Sequence, residues 1–493
     1  MLFNSFQFFV FFPTVVLVYL IIPKRIRYLW LLAASYFFYM CWSIKYGFLL
    51  LLVTTITWLC GILLEVIERR DWDASTIVKY KKCCIGISFV ANLLILLFFK
   101  YFVFLIDNIN YILNKVHIEG LYSGLDIFLP MGISFYILQA LGYTMDVYRN
   151  NVNAEKNFFK YALFVSFFPQ LISGPIGRAG SILNQISKLQ ELALFNYNRI
   201  TRGVHLMLWG FFQKLVIADR IAIVVNQVYE SYEDYGFVEL FTVMILFSFQ
   251  IYADFGGYSN IARGAAEVMG IELMDNFRQP YMARDIKSFW RRWHISLTSW
   301  FTDYLYIPLG GKRKGRLRQY FNILVIFLCS GLWHGANWTY VIWGILHGVF
   351  QIVGNVKKQI QIKCNMSRQE NWLWRIWSSG VIFGLVSIAW IFFRSDTIKH
   401  AWGFIIQMFK YRRLHSFTDM GLDHINWFVL IFALIILIFV DCMHESGRRI
   451  RESLYERPAG MRLCVYIAGL WMVILFGIYG YQYDAGSFIY SQF

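Results

Sequence analysis

The sequence carries little charge. Asp, Glu, Lys and Arg make up 15% of its 493 residues, whereas hydrophobic residues make up 58% and aromatic residues 19%. Soluble domains contain about 25% charged residues, so this scarcity excludes an ordinary soluble globular protein. The composition predicts a membrane protein.

Sequence patterns typical of metal, disulfide or nucleotide sites are missing as well. The eight cysteines are scattered and form no CxxC pair, so we expect neither structural disulfides nor a metal site. The stretch GGKRKGR at 310–316 is rich in glycine but lacks the Walker spacing, which argues against a P-loop. No Ser-His-Asp order or nucleophile elbow is visible either.

Apolar segments that could cross a bilayer recur along the chain. A hydrocarbon core of about 30 Å needs roughly 20 helical residues, and we predict about ten or eleven transmembrane or half-spanning helices. No small-residue cleavage pattern follows the first segment, so we expect it to remain as a helix. The predicted segments are 6–22, 29–42, 48–64, 84–104, 127–144, 204–225, 238–253, 323–353, 381–393, 427–440 and 463–481.

The net charge of +16 comes from basic residues that are concentrated in loops. In a soluble protein this excess would indicate nucleic-acid binding, but in a membrane protein basic residues collect at the cytoplasmic face, so we expect membrane lipids and no nucleic acid as partners. The basic loops 23–27 and 69–82 are separated by two predicted spans and therefore share a side. The positive-inside bias makes that side cytoplasmic. We therefore predict that the protein lies in the cytoplasmic (inner) membrane with its N-terminus on the outer side.

The apolar pattern degrades at SFFPQLISGPIGR, residues 166–178, where Pro169, Gly174 and Pro175 interrupt it. Broken helices are tolerated at membrane depth where protein or a cavity satisfies the freed backbone groups. Two interpretations stay open, namely a re-entrant segment beside a central cavity and a plain kinked helix.

Residues 278–318 contain ten basic residues against two acids, so this segment is too polar to cross. As one helix it would be amphipathic and interfacial, with Lys287 and Arg291 opposite an aromatic arc and His294 at the edge of that arc. The cations could meet a phosphorylated donor arriving from the cytoplasm or the headgroups of anionic lipids. The arc consists of Ile286, Trp290, Trp293, Leu297, Trp300 and Tyr304.

A histidine lies inside a long apolar run. Residues 323–353 include no charged side chain, and His334 is predicted roughly 20 Å of helix beyond the basic boundary. A buried neutral imidazole could act as a general base, or it could hydrogen-bond across helices for packing alone. Gly331 and Gly335 would let another chain segment or a substrate approach closely, and His347 is expected to be structural.

Two acids are weaker candidates. Asp254 ends an apolar run just before FGGYSN and is expected to cap a following helix. Asp303 is predicted at the membrane interface, where snorkelling would explain it.

Several motifs in order resemble the membrane-bound O-acyltransferase family in its bacterial branch, which acetylates alginate and peptidoglycan or transfers D-alanine to teichoic acid. The resemblance covers nearly the whole chain, and its specificity comes from the ordered set. The motifs are IFLPMGISFY (127–136), DVYR (146–149), ADFGGYSNIA (253–262), NFRQPY (276–281), FWRRWHISLTSWFTDYLYIPLGG (289–311), GLWHGANWTYVIWGILHG (331–348) and the aromatic end FIYSQF (488–493).

The resemblance implies an all-α, multi-pass fold around a central tunnel or funnel. It implies that His334 is catalytic and that His294 is the second motif histidine, nearer the cytoplasm. Supporting or tunnel-lining roles would fall to Trp293, Trp333, Asn337, Asp303 and Asp254.

The implied reaction moves an acyl group, acetyl in the first instance, from a cytoplasmic thioester such as acetyl-CoA to a cell-surface polysaccharide. No permanently bound cofactor is expected, and a separate extracellular, esterase-like transferase is the expected protein partner. D-Alanyl transfer to teichoic acid is the alternative within the family, and a transporter or flippase is the alternative outside it. We expect one membrane domain over 1–493, with a catalytic core at 127–350 and C-terminal helices at 374–493.

Two motifs depart from the branch pattern. Gly256 and Asn260 stand where the branch often reads DFSGYSD, and Thr302 stands where it often has Arg. Both put local contacts in doubt without affecting either histidine.

Overall fold

The computed structural model describes residues 1–121, 128–193, 195–364, 371–410 and 417–479. Within these ranges every regular element is a helix, which confirms the predicted all-α, multi-pass architecture. Residue 127, the FIYSQF motif and the end of the predicted segment 463–481 lie outside the described residues.

Seven of the described helices are long and apolar enough to cross a membrane. Helix α1 (Phe6–Ile21) is apolar but shorter. Several other predicted segments correspond to shorter helices. The seven long helices are Ile44–Glu68, Ala74–Lys115, Phe237–Val268, Trp338–Lys363, Trp372–Arg394, His424–Glu445 and Ala459–Phe476.

The chain divides into two compact units. The first consists of Met1–Val204 and Ala262–Met274, and the second of His205–Ile261 and Asp275–Phe493.

Polar side chains cap the N-termini of helices in the first unit. The Ser5 side chain accepts a hydrogen bond from Phe8 N, and Asp73 accepts one from Thr76 N. Such caps satisfy backbone groups that the first helical turn leaves unpaired. After α1 the helices are α2 (Arg27–Met40), α3 (Ile44–Glu68), α4 (Ala74–Leu96), which continues through a π-helical turn into α5 (Phe102–Lys115), α6 (Ile133–Tyr148), α7 (Phe158–Ser166), α8 (Phe168–Leu171), α9 (Ala179–Ser187) and the start of α10 (Tyr197–Phe211).

The predicted interruption at 166–178 is a full break between helices and not a plain kink. Helix α7 ends at Ser166, the short α8 follows, and α9 begins only at Ala179. Buried side chains satisfy the freed backbone groups: Gln170 Nε2 donates to Phe164 O at 2.7 Å, and Gly177 N donates to Gln139 Oε1 at 3.1 Å. Neighbouring protein thus takes the place of water.

The second unit contains the later helices. Asp285 caps α13 by accepting a hydrogen bond from Ser288 N at 2.8 Å, and Asp423 caps α19 from Asn426 N at 2.7 Å. From α10 the chain continues through a π-helical segment (Phe212–Ala218), α11 (Asp219–Glu230), α12 (Phe237–Val268), α13 (Ile286–Arg292), α14 (Ile295–Phe301), a π-helical turn (Thr302–Tyr306), α15 (Arg316–His334), α16 (Trp338–Lys363), α17 (Trp372–Arg394), α18 (Ile398–Lys410), α19 (His424–Glu445), α20 (Ile450–Tyr455) and α21 (Ala459–Phe476).

The basic segment 278–318 does not form the single amphipathic helix that was predicted. Helices α13 and α14 are separated by Trp293 and His294, and the φ angle of His294 is +44°, which a right-handed helix cannot contain. The predicted burial is nevertheless correct, with Lys287 and Arg291 exposed. The buried residues are Ile286, Trp290, Trp293, Leu297, Trp300 and Tyr304.

The apolar run 323–353 was predicted as one span, and this prediction is wrong because the run forms a helical hairpin. Helix α15 ends at His334, and α16 begins at Trp338. Between them Gly335 is extended, and the Asn337 side chain caps α16 by accepting a hydrogen bond from Thr339 N at 3.0 Å. A glycine after one helix and an asparagine before the next were the local signals of this turn.

The two helices of the hairpin cross closely at two glycines. A Cβ atom on Gly331 would lie 2.3 Å from Tyr340 O, and one on Gly344 would lie 2.3 Å from Phe327 O. No side chain fits at either distance, so the crossing requires glycine at both positions. The expectation that Gly331 lets another segment approach is confirmed, and that segment is α16.

Replacing Gly344 with leucine should force the hairpin apart. We expect Gly344→Leu to lower the melting temperature of the purified protein in detergent, because overpacking of a tight contact costs about 1–3 kcal/mol or more. The matched control is Gly380→Leu on α17, where an added Cβ meets no atom within 4 Å. Equal melting temperatures for the two variants would contradict the importance of the crossing.

Candidate active site

The hairpin turn holds His334 at the end of α15. Asn337 fixes the turn on both sides, because it caps α16 and its Nδ2 donates to Asp396 O at 2.8 Å. Asn337 therefore fixes the backbone of the turn beside the histidine, and its amide stays partly exposed. Its supporting role in the site stays a prediction.

Aromatic rings enclose His334, whose exposure is only 2%. The imidazole centroid lies 4.9 Å from the Trp333 ring, 5.0 Å from the Trp343 ring and 5.2 Å from the Phe393 ring. The Trp343 and Phe393 rings meet it nearly edge-on, at 88° and 74°. We call these three rings the aromatic enclosure. It separates the imidazole from bulk water.

His294 adopts a strained backbone conformation between α13 and α14. Its φ and ψ angles of +44° and +53° are left-handed, and only 1% of the residue is exposed. Left-handed geometry is uncommon for a residue other than glycine and recurs at functional sites, where surrounding contacts hold it. The carbonyl of His294 accepts a hydrogen bond from Thr298 N at 2.9 Å, which starts α14.

Asn276 of the NFRQPY motif holds the chain immediately after His294. Its carbonyl accepts from Ile295 N at 3.0 Å, and its Oδ1 accepts from Ser296 Oγ at 2.6 Å. Its Nδ2 donates to Ser259 Oγ on α12 at 3.0 Å. Asn276 is thus a positioning residue for His294. The sequence marked its motif, but no spacing rule linked the two residues.

The structure brings the two predicted catalytic histidines together. The centroids of the His294 and His334 rings are 6.3 Å apart, and the Trp333 ring lies 5.7 Å from His294. Phe255 packs edge-on against His294 at 4.6 Å. Burial lowers the pKa of His294 to about 3, so this imidazole is neutral near pH 7 and can accept a hydrogen bond.

Trp293, the third predicted site residue, packs in a row of rings with Trp390 and Trp343, which we call the aromatic wall. Its ring is 5.1 Å from the Trp390 ring, and Trp390 stacks on Trp343 at 5.6 Å and 21°. Trp343 also contacts His334, so the wall continues to the aromatic enclosure. Neither Trp343 nor Trp390 was singled out from the sequence, because nothing local distinguishes them from other tryptophans in apolar helices.

His347 lies in the same wall. It is fully buried, its ring is 4.9 Å from Trp343, and neither ring nitrogen makes a hydrogen bond within the described ranges. Because the apolar run forms a hairpin, His347 lies on α16 whereas His334 ends α15. Its structural role stays a prediction.

Asp254 does not cap a helix as predicted, because α12 runs through it without interruption. Instead its Oδ1 lies 2.6 Å from Lys214 Nζ, and that ammonium also lies 2.8 Å from Asp219 Oδ1. All three side chains are buried, and we call them the ion triad. Lys214 comes from the π-helical segment Phe212–Ala218, and the next residue after Asp254 is Phe255, which contacts His294.

Asp303 lies farther along the chain, in the π-helical turn Thr302–Tyr306 after α14. It is half-buried, as an interfacial residue would be. Its predicted supporting role stays a prediction.

Three exposed cations of the second unit lie near the Lys287 ammonium, and so does the Asp285 carboxylate. Burial lowers the pKa of the Lys287 ammonium, and the charges of Lys312 and Arg291 lower it further. Lys358 on α16 acts in the same direction. These four residues form a basic patch suited to phosphate groups.

Comparisons with known proteins agree with the geometry. The model of the membrane-bound O-acyltransferase family matches residues 154–394. A peptidoglycan O-acetyltransferase from Helicobacter pylori is 36% identical over 397 residues, which cover 76% of this chain and 72% of that protein. A probable alginate O-acetylase, AlgI, from Azotobacter vinelandii is 34% identical over 427 residues, covering 86% and 80%. A teichoic acid D-alanyltransferase from Bacillus subtilis is 26% identical over 280 residues, covering 55% and 70%.

The buried state of His294 predicts a pH dependence of stability. Its pKa is about 3 in the folded chain, whereas an unfolded histidine titrates near 6.5, so the unfolded state binds more protons between these values. The stability that neutral His294 contributes is therefore present above pH 6.5 and lost on acidification, by about 1.4 kcal/mol per pH unit. The melting temperature of the wild type should fall more steeply from pH 6.5 to 4 than that of His294→Gln.

The matched control is His424→Gln, which removes an exposed imidazole at the start of α19. Its melting temperature should follow the wild-type pH profile. Identical profiles for His294→Gln and the wild type would show that His294 is not held neutral.

Proposed function

The chain belongs to the membrane-bound O-acyltransferase family, and we propose that it transfers an acetyl group from a cytoplasmic thioester donor towards a cell-surface polysaccharide. The observation that carries the proposal is the pair of buried imidazoles, 6.3 Å apart. Acetyl is favoured because the two relatives above that cover most of the chain are named for O-acetyl transfer.

We assign the role of general base to His334. Its imidazole takes the proton of the acceptor hydroxyl while that oxygen attacks the thioester carbonyl. A C–O bond forms as the C–S bond breaks, and the leaving thiolate takes the proton back from the imidazolium. His294, held neutral, places the donor by a hydrogen bond or relays this proton.

The aromatic enclosure protects the thioester. Trp333, Trp343 and Phe393 contact His334, which is only 2% exposed. Excluding water suppresses hydrolysis of the donor and strengthens electrostatic interactions in the site. A route from each membrane face to the two histidines is part of the proposal, as are the tunnel-lining roles of Trp293 and Trp333.

The donor, partner and location follow from the same proposal. Acetyl-CoA or another acyl thioester is a substrate and not a resident cofactor, and its phosphates would meet the basic patch. We place the protein in the cytoplasmic membrane with its N-terminus outside, where an extracellular esterase-like transferase completes the transfer to the polysaccharide.

D-Alanyl transfer to teichoic acid is the second candidate. The teichoic acid D-alanyltransferase of Bacillus subtilis supports it, but at 26% identity over 55% of the chain. The flippase alternative loses its support, because the family and the relatives compared above are transferases.

Removing the imidazole of His334 should abolish transfer. We expect His334→Gln to lower surface acylation at least about 100-fold, as loss of a general base does, in cells that contain wild-type amounts of the protein. The measurement is mild alkaline release of ester-linked groups, and the matched control is His424→Gln. Full acylation by His334→Gln at normal protein level would disprove the assigned role.

The same release assay separates the two candidate reactions. Acetate that depends on the protein supports acetyl transfer, whereas D-alanine supports the second candidate. Purified protein incubated with labelled acetyl-CoA gives an independent test, with label expected on protein or glycan for the wild type and not for His334→Gln.

Reversing charge in the basic patch should weaken donor binding. We expect Lys287→Glu with Lys312→Glu to raise the KM for acetyl-CoA about tenfold or more while kcat changes little, because uniform binding is lost away from the reacting atoms. The control is Lys399→Glu, an exposed lysine at the start of α18. An unchanged KM would mean that the patch meets lipid headgroups instead of the donor.

A further inference from the structure

Two arginines of the first unit, one buried and one half-buried, have no carboxylate partner among the residues that the structure describes. Arg27 begins α2 and has an exposure of 0%. Arg199 is half-buried on α10. In the part of the chain that the structure describes, none of the three guanidinium nitrogens of Arg27 makes a hydrogen bond, nor do Nε and Nη2 of Arg199.

Tyr19 brings these two guanidinium groups to one place. Arg27 Cζ lies 4.7 Å from the centroid of the Tyr19 ring, and the Tyr19 hydroxyl donates to Met269 O at 2.8 Å. The next residue, Gly270, has a φ angle of +87°, and a Cβ atom there would lie 3.4 Å from Arg199 Nη1. Arg27 therefore lies on the Tyr19 ring, and Arg199 lies beside Gly270, the residue after the hydrogen-bond partner of Tyr19. Both arginines are thus near the place where Tyr19 contacts the chain at Met269 and Gly270.

Within the described ranges, no carboxylate forms an ion pair with Arg27 or Arg199. Burial lowers the pKa of the Arg199 guanidinium, and the charge of Arg27 lowers it further, as expected for neighbouring cations. On the same helix, Arg202 Nε lies 3.1 Å from Glu267 Oε1, so the next arginine along has the carboxylate that Arg199 lacks. Burying cations without a counter-charge is costly, and a bound anion removes that cost.

The start of α2 adds to the positive potential. No side chain caps this helix, and its first turn contains no acid. The unsatisfied N–H groups and the dipole at a helix N-terminus both favour an anion.

We propose that Arg27 and Arg199 form a binding site for one phosphate group. Guanidinium groups bind phosphate through paired, charge-assisted hydrogen bonds, and two arginines can share its oxygens. The phosphate belongs to the headgroup of an anionic phospholipid or to a soluble phosphate-bearing molecule. The proposal is independent of acyl transfer, because it uses only residues of the first unit and no residue of the candidate active site.

The test uses the full chain, purified in a neutral maltoside detergent and a phosphate-free buffer. The melting temperature is measured while phosphatidylglycerol is titrated, and separately while inorganic phosphate replaces chloride at equal ionic strength. At least one of these should raise the wild-type melting temperature in a saturable way. Arg27→Gln and Arg199→Gln should abolish the rise, whereas the control Arg25→Gln, which removes an exposed neighbour, should retain it.

The two arms identify the source. A rise with phosphatidylglycerol alone assigns the site to a lipid headgroup, and a rise with inorganic phosphate assigns it to a soluble phosphate. No rise in either arm, or the same rise in the wild type and both glutamine variants, overturns the proposal.

Stability without added anion gives a second measurement. Arg27→Gln and Arg199→Gln each remove an uncompensated buried charge, so in lipid-stripped, phosphate-free detergent neither should melt below the wild type. Should Arg27→Gln fail to fold, the half-buried Arg199→Gln alone decides, and a wild-type response in that variant overturns the proposal.

Discussion

The close crossing of α15 and α16 is the constraint on which the candidate site depends. Gly331 and Gly344 let the two backbones approach to a distance that no side chain allows. The approach turns an apolar run into a hairpin, and the hairpin places His334 at a helix end. Trp343 on the returning helix can then reach the imidazole, at 5.0 Å. The close backbone approach therefore brings Trp343 into the aromatic enclosure.

The second histidine is positioned by a different device. His294 occupies a break between two short helices in a conformation that costs free energy. Asn276 offsets that cost with hydrogen bonds to the residues that follow, and it is itself held by Ser259 of α12. One histidine is thus held by packing and the other by hydrogen bonds. Rigid support of both kinds is what a pre-organised catalytic pair requires.

Buried charge is treated in two ways within the chain. Lys214 is matched by two carboxylates in the ion triad, which lies beside the residue that contacts His294. Arg27 and Arg199 have no such match among the described residues. Removing an ion from water costs free energy at both places. A counter-charge offsets that cost, and it comes either from the protein, as for Lys214, or from a ligand, as we propose for the two arginines.

The sequence by itself determined the class of protein and the identities of the two histidines. Hydropathy and apolar length are local properties, so the all-helical architecture could be predicted, and ordered motifs pointed to His334 and His294. The prediction of one apolar arc from Ile286 to Tyr304 was also correct, because the helical period continues even across the two-residue break between α13 and α14. The tertiary structure alone decided the hairpin, the pairing of Asp254 with Lys214, the clamp by Asn276 and the meeting of Arg27 with Arg199. Each of these depends on contacts between residues far apart in the chain, and the energy of such a contact exists only once the helices have packed.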